Sequence, residues 1–173
     1  ETFATFDELT AEQITAKLEK AQKAFELWRH VPLAEKRTKF LRLAEVFKSN
    51  ASKMGELATR EMGKTLKSAV AEVEKCATVC EYYANNAEEF LKPVTIASDA
   101  SESYVRFDPL GVLLAVMPWN FPYWQVLRFA APALMAGNVG VLKHASNVPQ
   151  CSNAIEAAFL EDGFPEGVFQ NLL

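Results

Sequence analysis

After Pro109 the sequence alternates between short apolar segments and segments with helical spacing, and this alternation limits the possible folds more than any other feature. The predicted elements are, in order, a strand at 111–117, a helix at 123–136, a strand at 138–143, a helix at 149–162 and a strand at 168–172. Strands joined by helices form parallel sheets with right-handed crossovers. We therefore expect an α/β fold that contains the first βαβαβ part of a Rossmann-like parallel sheet.

The first 93 residues show helical periodicity instead. A capping box at Thr10 and Gln13 predicts the start of a first helix. A second helix is predicted to run without interruption from Pro32 to Gly63, a residue type that favours helix ends. A third apolar stripe, with steps of three and four residues, ends at Pro93.

The segment 94–108 has a pattern of its own. Its apolar residues alternate on both sides of a polar break at 98–101, which predicts a β-hairpin. An isolated hairpin is marginal in water, so its edges need a partner. The chain is therefore predicted to have three parts: a helical part at 1–93, a hairpin at 94–108 and the first part of a nucleotide-binding domain at 109–173.

Charge and composition exclude several classes of function. The net charge is −4 and the basic and acidic side chains are interspersed, so no basic surface is offered to nucleic acid or to a membrane. The apolar runs, such as 129–136, are too short to span a membrane. The three cysteines form neither a disulfide framework nor a metal-binding pattern. We expect Cys76 and Cys80 to be buried thiols, and we expect no metal and a cytoplasmic location.

The first predicted strand leads into the turn Pro118-Trp119-Asn120-Phe121-Pro122, at the strand end where open α/β sheets bind their ligands. The two prolines stiffen the turn, because each fixes its own φ and restricts the residue before it. A stiff turn can aim the Asn120 amide at a carbonyl oxygen on which negative charge develops. The alternatives are that Asn120 caps the next helix, and that Trp119 and Phe121 pack in the core.

Several segments in a fixed order resemble the aldehyde dehydrogenase superfamily over nearly the whole chain. They include ELATREMGKTLKSAVAEVEKC, DPLGVLLAVMPWNFPYWQVLR and LKHASNVP. Together, WNFPYWQVLR and LKHASNVP look most like succinate-semialdehyde dehydrogenases. No G-x-G-x-x-G follows the first strand, and the superfamily binds NAD or NADP on a modified fold without that fingerprint. The resemblance implies an incomplete aldehyde dehydrogenase-like fold, with the chain as its N-terminal portion.

The resemblance implies a cofactor site at the strand ends. Lys143 matches a lysine that binds the ribose hydroxyls of the dinucleotide. The alternative is an ordinary solvated lysine at the end of a strand. Ser146 stands where NAD-preferring members often carry glutamate. A serine removes the repulsion of a 2′-phosphate, so we expect NADP to be tolerated. Met117, through its backbone carbonyl, and Trp119 are implied to line the same site.

The resemblance also implies a site for an aldehyde that carries a carboxylate. Arg128 matches the arginine that binds the substrate carboxylate in succinate-semialdehyde dehydrogenases, and its planar guanidinium can pair with both oxygens. The alternative is a surface arginine on an amphipathic helix. Phe121 and Gln125 are implied to line the substrate tunnel, and Asn120 to supply one oxyanion donor.

The chemistry implied by the resemblance needs groups that the chain does not supply. In this family a cysteine thiolate attacks the aldehyde, a hydride passes to the nicotinamide and an activated water hydrolyses the thioester. The family's nucleophilic cysteine and general-base glutamate lie beyond the matched segments, and Cys151 does not match the nucleophile's context. We expect the 173-residue chain to be inactive alone, with its third strand at an uncovered sheet edge.

Two interpretations of the whole chain remain open at this stage. In the first, the chain is part of an enzyme that oxidises succinate semialdehyde, or a related aldehyde, with NAD or NADP. In the second, it is a non-catalytic protein that reuses the fold for binding or assembly. The resemblance further implies a homo-oligomer, because in this family the corresponding hairpin strands pair with another subunit.

Overall fold

The computed structural model describes residues 4–173, and the predicted α/β fold is confirmed within that range. The helices are α1 (Ala11–Trp28), α2 (Leu33–Ser49), α3 (Ala51–Met62), α4 (Leu66–Phe90), α5 (Trp124–Met135) and α6 (Pro149–Glu161). The strands are β1 (Val94–Thr95), β2 (Tyr104–Val105), β3 (Val112–Met117), β4 (Val139–His144) and β5 (Phe169–Leu172). The first three residues of the predicted helical part lie outside the described range.

The strands β3, β4 and β5 form a parallel sheet with β4 in the centre, so β5 is an edge strand as predicted and β3 is the other edge. Neighbouring side chains on β5 identify what covers each face, because they point in opposite directions. Phe169 stacks on Phe159 of α6 with ring centroids 4.5 Å apart. Gln170 donates from Nε2 to the Lys17 carbonyl of α1. The two faces are therefore covered by α6 and by α1.

The helical part and the sheet share one hydrophobic core. Trp28, at the end of α1, is buried and donates from Nε1 to the Leu134 carbonyl of α5 at 2.9 Å. Its ring also packs against Phe164, which lies between α6 and β5. Helices α2, α3 and α4 pack together and contact α5 and α6. The core thus extends from the helices, through the crossover helices, to the sheet.

The predicted continuous helix from Pro32 to Gly63 is wrong, because it is divided into α2 and α3 at Asn50. Asn50 has φ −96° and ψ 6°, and its Nδ2 donates to the Val46 carbonyl at 3.0 Å. The Ser49 hydroxyl donates to the same carbonyl. Such side-chain bonds compete with the helical ladder. The apolar stripe continues across the break, which is why periodicity alone did not reveal it.

Two local predictions are confirmed. Thr10 and Gln13 form the capping box at the start of α1, with each side chain bound to the other residue's backbone N–H. β1 and β2 form the predicted antiparallel hairpin, with Val94 opposite Val105, although each strand has only two residues. No helix in the described range is long and apolar enough to cross a membrane. Those residues also form no cluster of three or more side chains that could hold a metal ion.

Candidate functional site

The turn between β3 and α5 lies at the surface. Asn120 is exposed and makes no hydrogen bond or ion pair with any other residue that the structure describes. Trp119 and Phe121 keep 49% and 43% of their surface exposed. The alternative in which these two residues are core aromatics is therefore wrong.

The first amides of α5 are bound by Glu72 of α4. Its Oε1 accepts hydrogen bonds from the Tyr123 and Trp124 N–H groups at 2.9 and 3.0 Å. A carboxylate is favoured at a helix N-terminus, where the N–H groups lack helical partners. Because Glu72 fills this role, the alternative in which Asn120 caps α5 is wrong. The Asn120 amide projects from a fixed turn without a bonding partner of its own.

The turn is also bound to the end of β4 through His144. Its Nδ1 accepts from the Ala145 N–H at 2.8 Å, so Nε2 carries the proton and donates it to the Pro122 carbonyl at 2.9 Å. The side chain is buried, and burial lowers the pKa of His144. A neutral imidazole therefore joins the turn after β3 to the loop after β4.

This arrangement predicts an acid-sensitive fold. The pKa of His144 is lower in the folded chain than when unfolded, so its stabilising contribution is present above the unfolded value and is lost as pH falls through the folded one. Protonation of Nδ1 would place a donor against the Ala145 N–H. We expect the free energy of unfolding to fall between about pH 7.5 and about pH 5.5, on either side of the ordinary histidine pKa.

Urea denaturation at the two pH values measures the expected fall in the free energy of unfolding. His144→Gln keeps one donor and one acceptor but cannot take up the proton, so the variant should lose less stability on acidification. His30→Gln, which removes an exposed imidazole, is the control and should behave as the unmodified protein. An equal loss in His144→Gln and in the unmodified protein would contradict the role of His144.

Two of the four predicted cofactor residues lie together at the end of β4. Lys143 and Ser146 are both exposed and line one cleft of about 520 Å³. The Lys143 Nζ donates to the His144 carbonyl at 3.0 Å. The lining of the cleft includes neither Met117 nor Trp119. The Met117 carbonyl instead accepts a backbone N–H from the loop after β4 at 3.1 Å.

Of the three predicted substrate residues, Phe121 lies in the turn, and Gln125 and Arg128 lie on α5, the helix that follows it. Gln125 is half-buried in its first turn. Arg128 is exposed, one turn further on, and makes no hydrogen bond or ion pair within residues 4–173. An unpaired guanidinium can bind a carboxylate through two parallel hydrogen bonds.

The cysteines are not placed to act as nucleophiles. Cys76, Cys80 and Cys151 are free and buried, and burial raises the pKa of all three thiols. A buried, protonated thiol reacts poorly. The Cys151 backbone N–H donates to Glu61 of α3 at 2.8 Å, which places this cysteine in the cap of α6 rather than in an open site.

Comparison with known proteins decides the family of this chain. The sequence model that describes the aldehyde dehydrogenase family matches residues 1–173. The chain belongs to this family.

Among the aldehyde dehydrogenases that resemble it is a probable succinate-semialdehyde dehydrogenase [NADP(+)] from Synechocystis sp., 52% identical over 173 residues. Another is succinate-semialdehyde dehydrogenase [NADP(+)] 1 from Mycobacterium tuberculosis, 48% identical over 176 residues. Each alignment covers 100% of this chain and 38% of the relative. The crystal structure of the succinic semialdehyde dehydrogenase from Streptococcus pyogenes with NADP+ superposes with a TM-score of 0.95 at 37% identity, over 98% of this chain and 38% of that one.

Sequence reasoning missed two side chains that hold the turn between β3 and α5, Glu72 and His144. Glu72 is four residues before Cys76 and three after Ala69, so it lies on the buried stripe of α4. A charged residue on an otherwise apolar stripe signals a buried partner, because an unpaired buried charge is strongly unfavourable. His144 gave no comparable signal, since a lone histidine at a strand end has many ordinary roles.

Proposed function

We propose that these 173 residues form the cofactor-binding and oxyanion-binding part of an NAD(P)-dependent succinate-semialdehyde dehydrogenase. The observation that carries this proposal is the unbonded Asn120 amide on a turn fixed from both sides, next to the strand end that presents Lys143 and Ser146. The activity of the two relatives, both named as NADP-dependent succinate-semialdehyde dehydrogenases, supports the choice of substrate and of NADP. The chain spans 38% of the length of those relatives. Within the proposal, the nucleophilic cysteine and the general base belong to the remaining length.

In this proposal Asn120 donates an N–H to the aldehyde oxygen as it becomes an oxyanion. A preorganised donor at that oxygen stabilises the transition state without taking a proton. Arg128 binds the distant carboxylate of the substrate, and Phe121 and Gln125 line the path between. Because the carboxylate would be held at a fixed distance from Asn120, the aldehyde of a short semialdehyde acid would be placed at the reacting position.

The donors in the cleft suit a phosphorylated ribose. The Lys143 ammonium and the Ser146 hydroxyl can both donate to phosphate or ribose oxygens. Asp7 and Glu8 line the same cleft, and their charges would oppose a phosphate, so we place it at the Lys143 and Ser146 end. Met117 and Trp119 would lie on the nicotinamide side. When bound, NAD or NADP would supply the hydride acceptor.

The carboxylate role of Arg128 is tested in the complete protein, meaning a chain with the full length of its relatives. Arg128→Ala should raise KM for succinate semialdehyde about tenfold to 100-fold, because a charge-assisted hydrogen bond contributes about 1.5–3 kcal/mol. Activity on butyraldehyde, which has no carboxylate, should change little.

Arg37→Ala is the control, because Arg37 is an exposed arginine that bonds only Asn85 among the described residues, through its Nη2 atom. It should leave both KM values unchanged. If Arg128→Ala lowers activity on both aldehydes equally, the substrate carboxylate is bound elsewhere.

We also propose that the complete protein is a cytoplasmic homo-oligomer. The hairpin exposes apolar side chains on both strands and just beyond them, and pairing with a second subunit would cover them. These residues are Val94, Ile96, Tyr104, Val105 and Phe107. The free, buried cysteines fit a reducing compartment.

A further inference from the structure

The turn that carries Asn120 rests on a buried ion pair supplied by the helical part of the chain. Glu72 binds the Tyr123 and Trp124 amides with Oε1, and its Oε2 pairs with the Lys64 ammonium. The two side chains are only 2% and 10% exposed. Lys64 lies between α3 and α4, and its Nζ is 3.9 Å from the centre of the Phe121 ring. The pair thus contacts the turn on both sides of Pro122.

A second carboxylate cap in the same chain binds its helix in a different way. Glu61 of α3 binds the first amides of α6, accepting from Gln150 with Oε1 at 2.7 Å and from Cys151 with Oε2 at 2.8 Å. Both of its oxygens serve the helix. Glu72 instead binds two amides with one oxygen and uses the other for Lys64. Because Lys64 also contacts Phe121, the ion pair connects the helix cap to the turn.

Asn120 has no bond of its own to fix its direction, so its neighbours must do so. Phe121 rests on Lys64, the Pro122 carbonyl accepts from His144, and the Tyr123 amide donates to Glu72. Three consecutive residues after Asn120 are therefore held by three different side chains. We propose that the Lys64–Glu72 pair is a positioning device that aims the Asn120 amide at the reacting carbonyl. This inference rests on the proposed function and names residues that act through Asn120.

The first test is Glu72→Gln in the complete protein. An amide oxygen still reaches the α5 amides, but the charge that holds both them and Lys64 is lost. We expect kcat for succinate semialdehyde to fall about tenfold or more, since a small misplacement of a reacting group can cost about 100-fold. KM for NADP should stay within about twofold, because Lys143 and Ser146, which are proposed to bind the phosphorylated ribose, lie on β4 and just beyond it, apart from the Glu72 contacts.

Lys64 provides a second pair of variants. Lys64→Met removes the cation from beneath Phe121 and should lower kcat in the same way. Lys64→Arg keeps the charge and can still pair with Glu72, so it should restore most of kcat. If Lys64 acted only by packing, Lys64→Met and Lys64→Arg would have similar kcat values, because both replacements are long side chains.

Asp162→Asn is the matched control for the loss of a buried carboxylate charge. Asp162 also pairs with a basic side chain, Arg42, but it lies at the C-terminal end of α6, in the connection to β5 rather than in the turn after β3. It should leave kcat unchanged. If Glu72→Gln also keeps full kcat, the positioning role is overturned.

Hydrogen exchange of the Tyr123 and Trp124 amides separates this inference from the proposed function. In Glu72→Gln both amides should exchange at least about tenfold faster, while the Gln150 and Cys151 amides held by Glu61 should not change. If the unmodified protein oxidises no aldehyde, the proposed function fails, and exchange still decides whether the pair holds the turn. Unchanged exchange at Tyr123 and Trp124 would overturn the pair's role in either case.

Discussion

Asn120→Ala is expected to lower kcat of the complete protein about 100- to 1,000-fold, the usual effect of removing one oxyanion donor. The side chain is exposed and has no hydrogen-bond partner among the described residues, so little stability should be lost. The affinity for NADP, measured by fluorescence titration, should be unchanged, because Lys143 and Ser146 remain in place.

Asn86→Ala is the control for this variant. It also removes an asparagine side chain, one whose Nδ2, among the described residues, donates only to the Tyr82 carbonyl of the same helix. Its kcat should equal that of the unmodified protein. An Asn120→Ala protein that keeps more than about half of kcat would show that another group stabilises the oxyanion.

The second large effect is expected on stability. Trp28→Ala should lower the free energy of unfolding by about 3–5 kcal/mol, as is typical when a buried Trp is truncated. Trp28 is 1% exposed and fills the space between α1, α5 and Phe164. The Leu134 carbonyl that it binds also accepts from the Gly137 N–H, so most of the cost comes from the cavity.

Denaturation by urea measures this loss, and the preceding residue supplies the control. Leu27 is 74% exposed on the same helix turn, so Leu27→Ala should change stability by less than about 0.5 kcal/mol. If Trp28→Ala costs no more than Leu27→Ala, α1 does not pack on the sheet as described, and the helical part and the sheet do not share a core.

The elements of this fold were largely predictable because each has a local signature. The change from helical to alternating spacing identified the hairpin, and the apolar segments after Pro109 identified all three parallel strands. The break at Asn50 was not predictable from periodicity, since the buried stripe does not change there. The packing of α1 on one face of the sheet was also not predictable. An amphipathic stripe shows that one face of a helix is buried, but it does not show which element covers that face.

The candidate site was predictable only in part, for a related reason. The two prolines and their position after a strand identified the turn, and Asn120 stands exposed on it. What holds the turn comes from distant parts of the chain: Glu72 is 51 residues before Tyr123, and His144 is 22 residues after Pro122. Contacts over such separations leave no periodic trace. The charged Glu72 on the apolar stripe of α4 was the single local indication.

We propose above all that this chain supplies the oxyanion donor and cofactor residues of a succinate-semialdehyde dehydrogenase. The most direct measurement is the initial rate of NADPH formation by the complete protein with succinate semialdehyde and, separately, with butyraldehyde. We predict oxidation of both, with a higher kcat/KM for succinate semialdehyde. Failure to reduce either NADP or NAD with any aldehyde would contradict the claim.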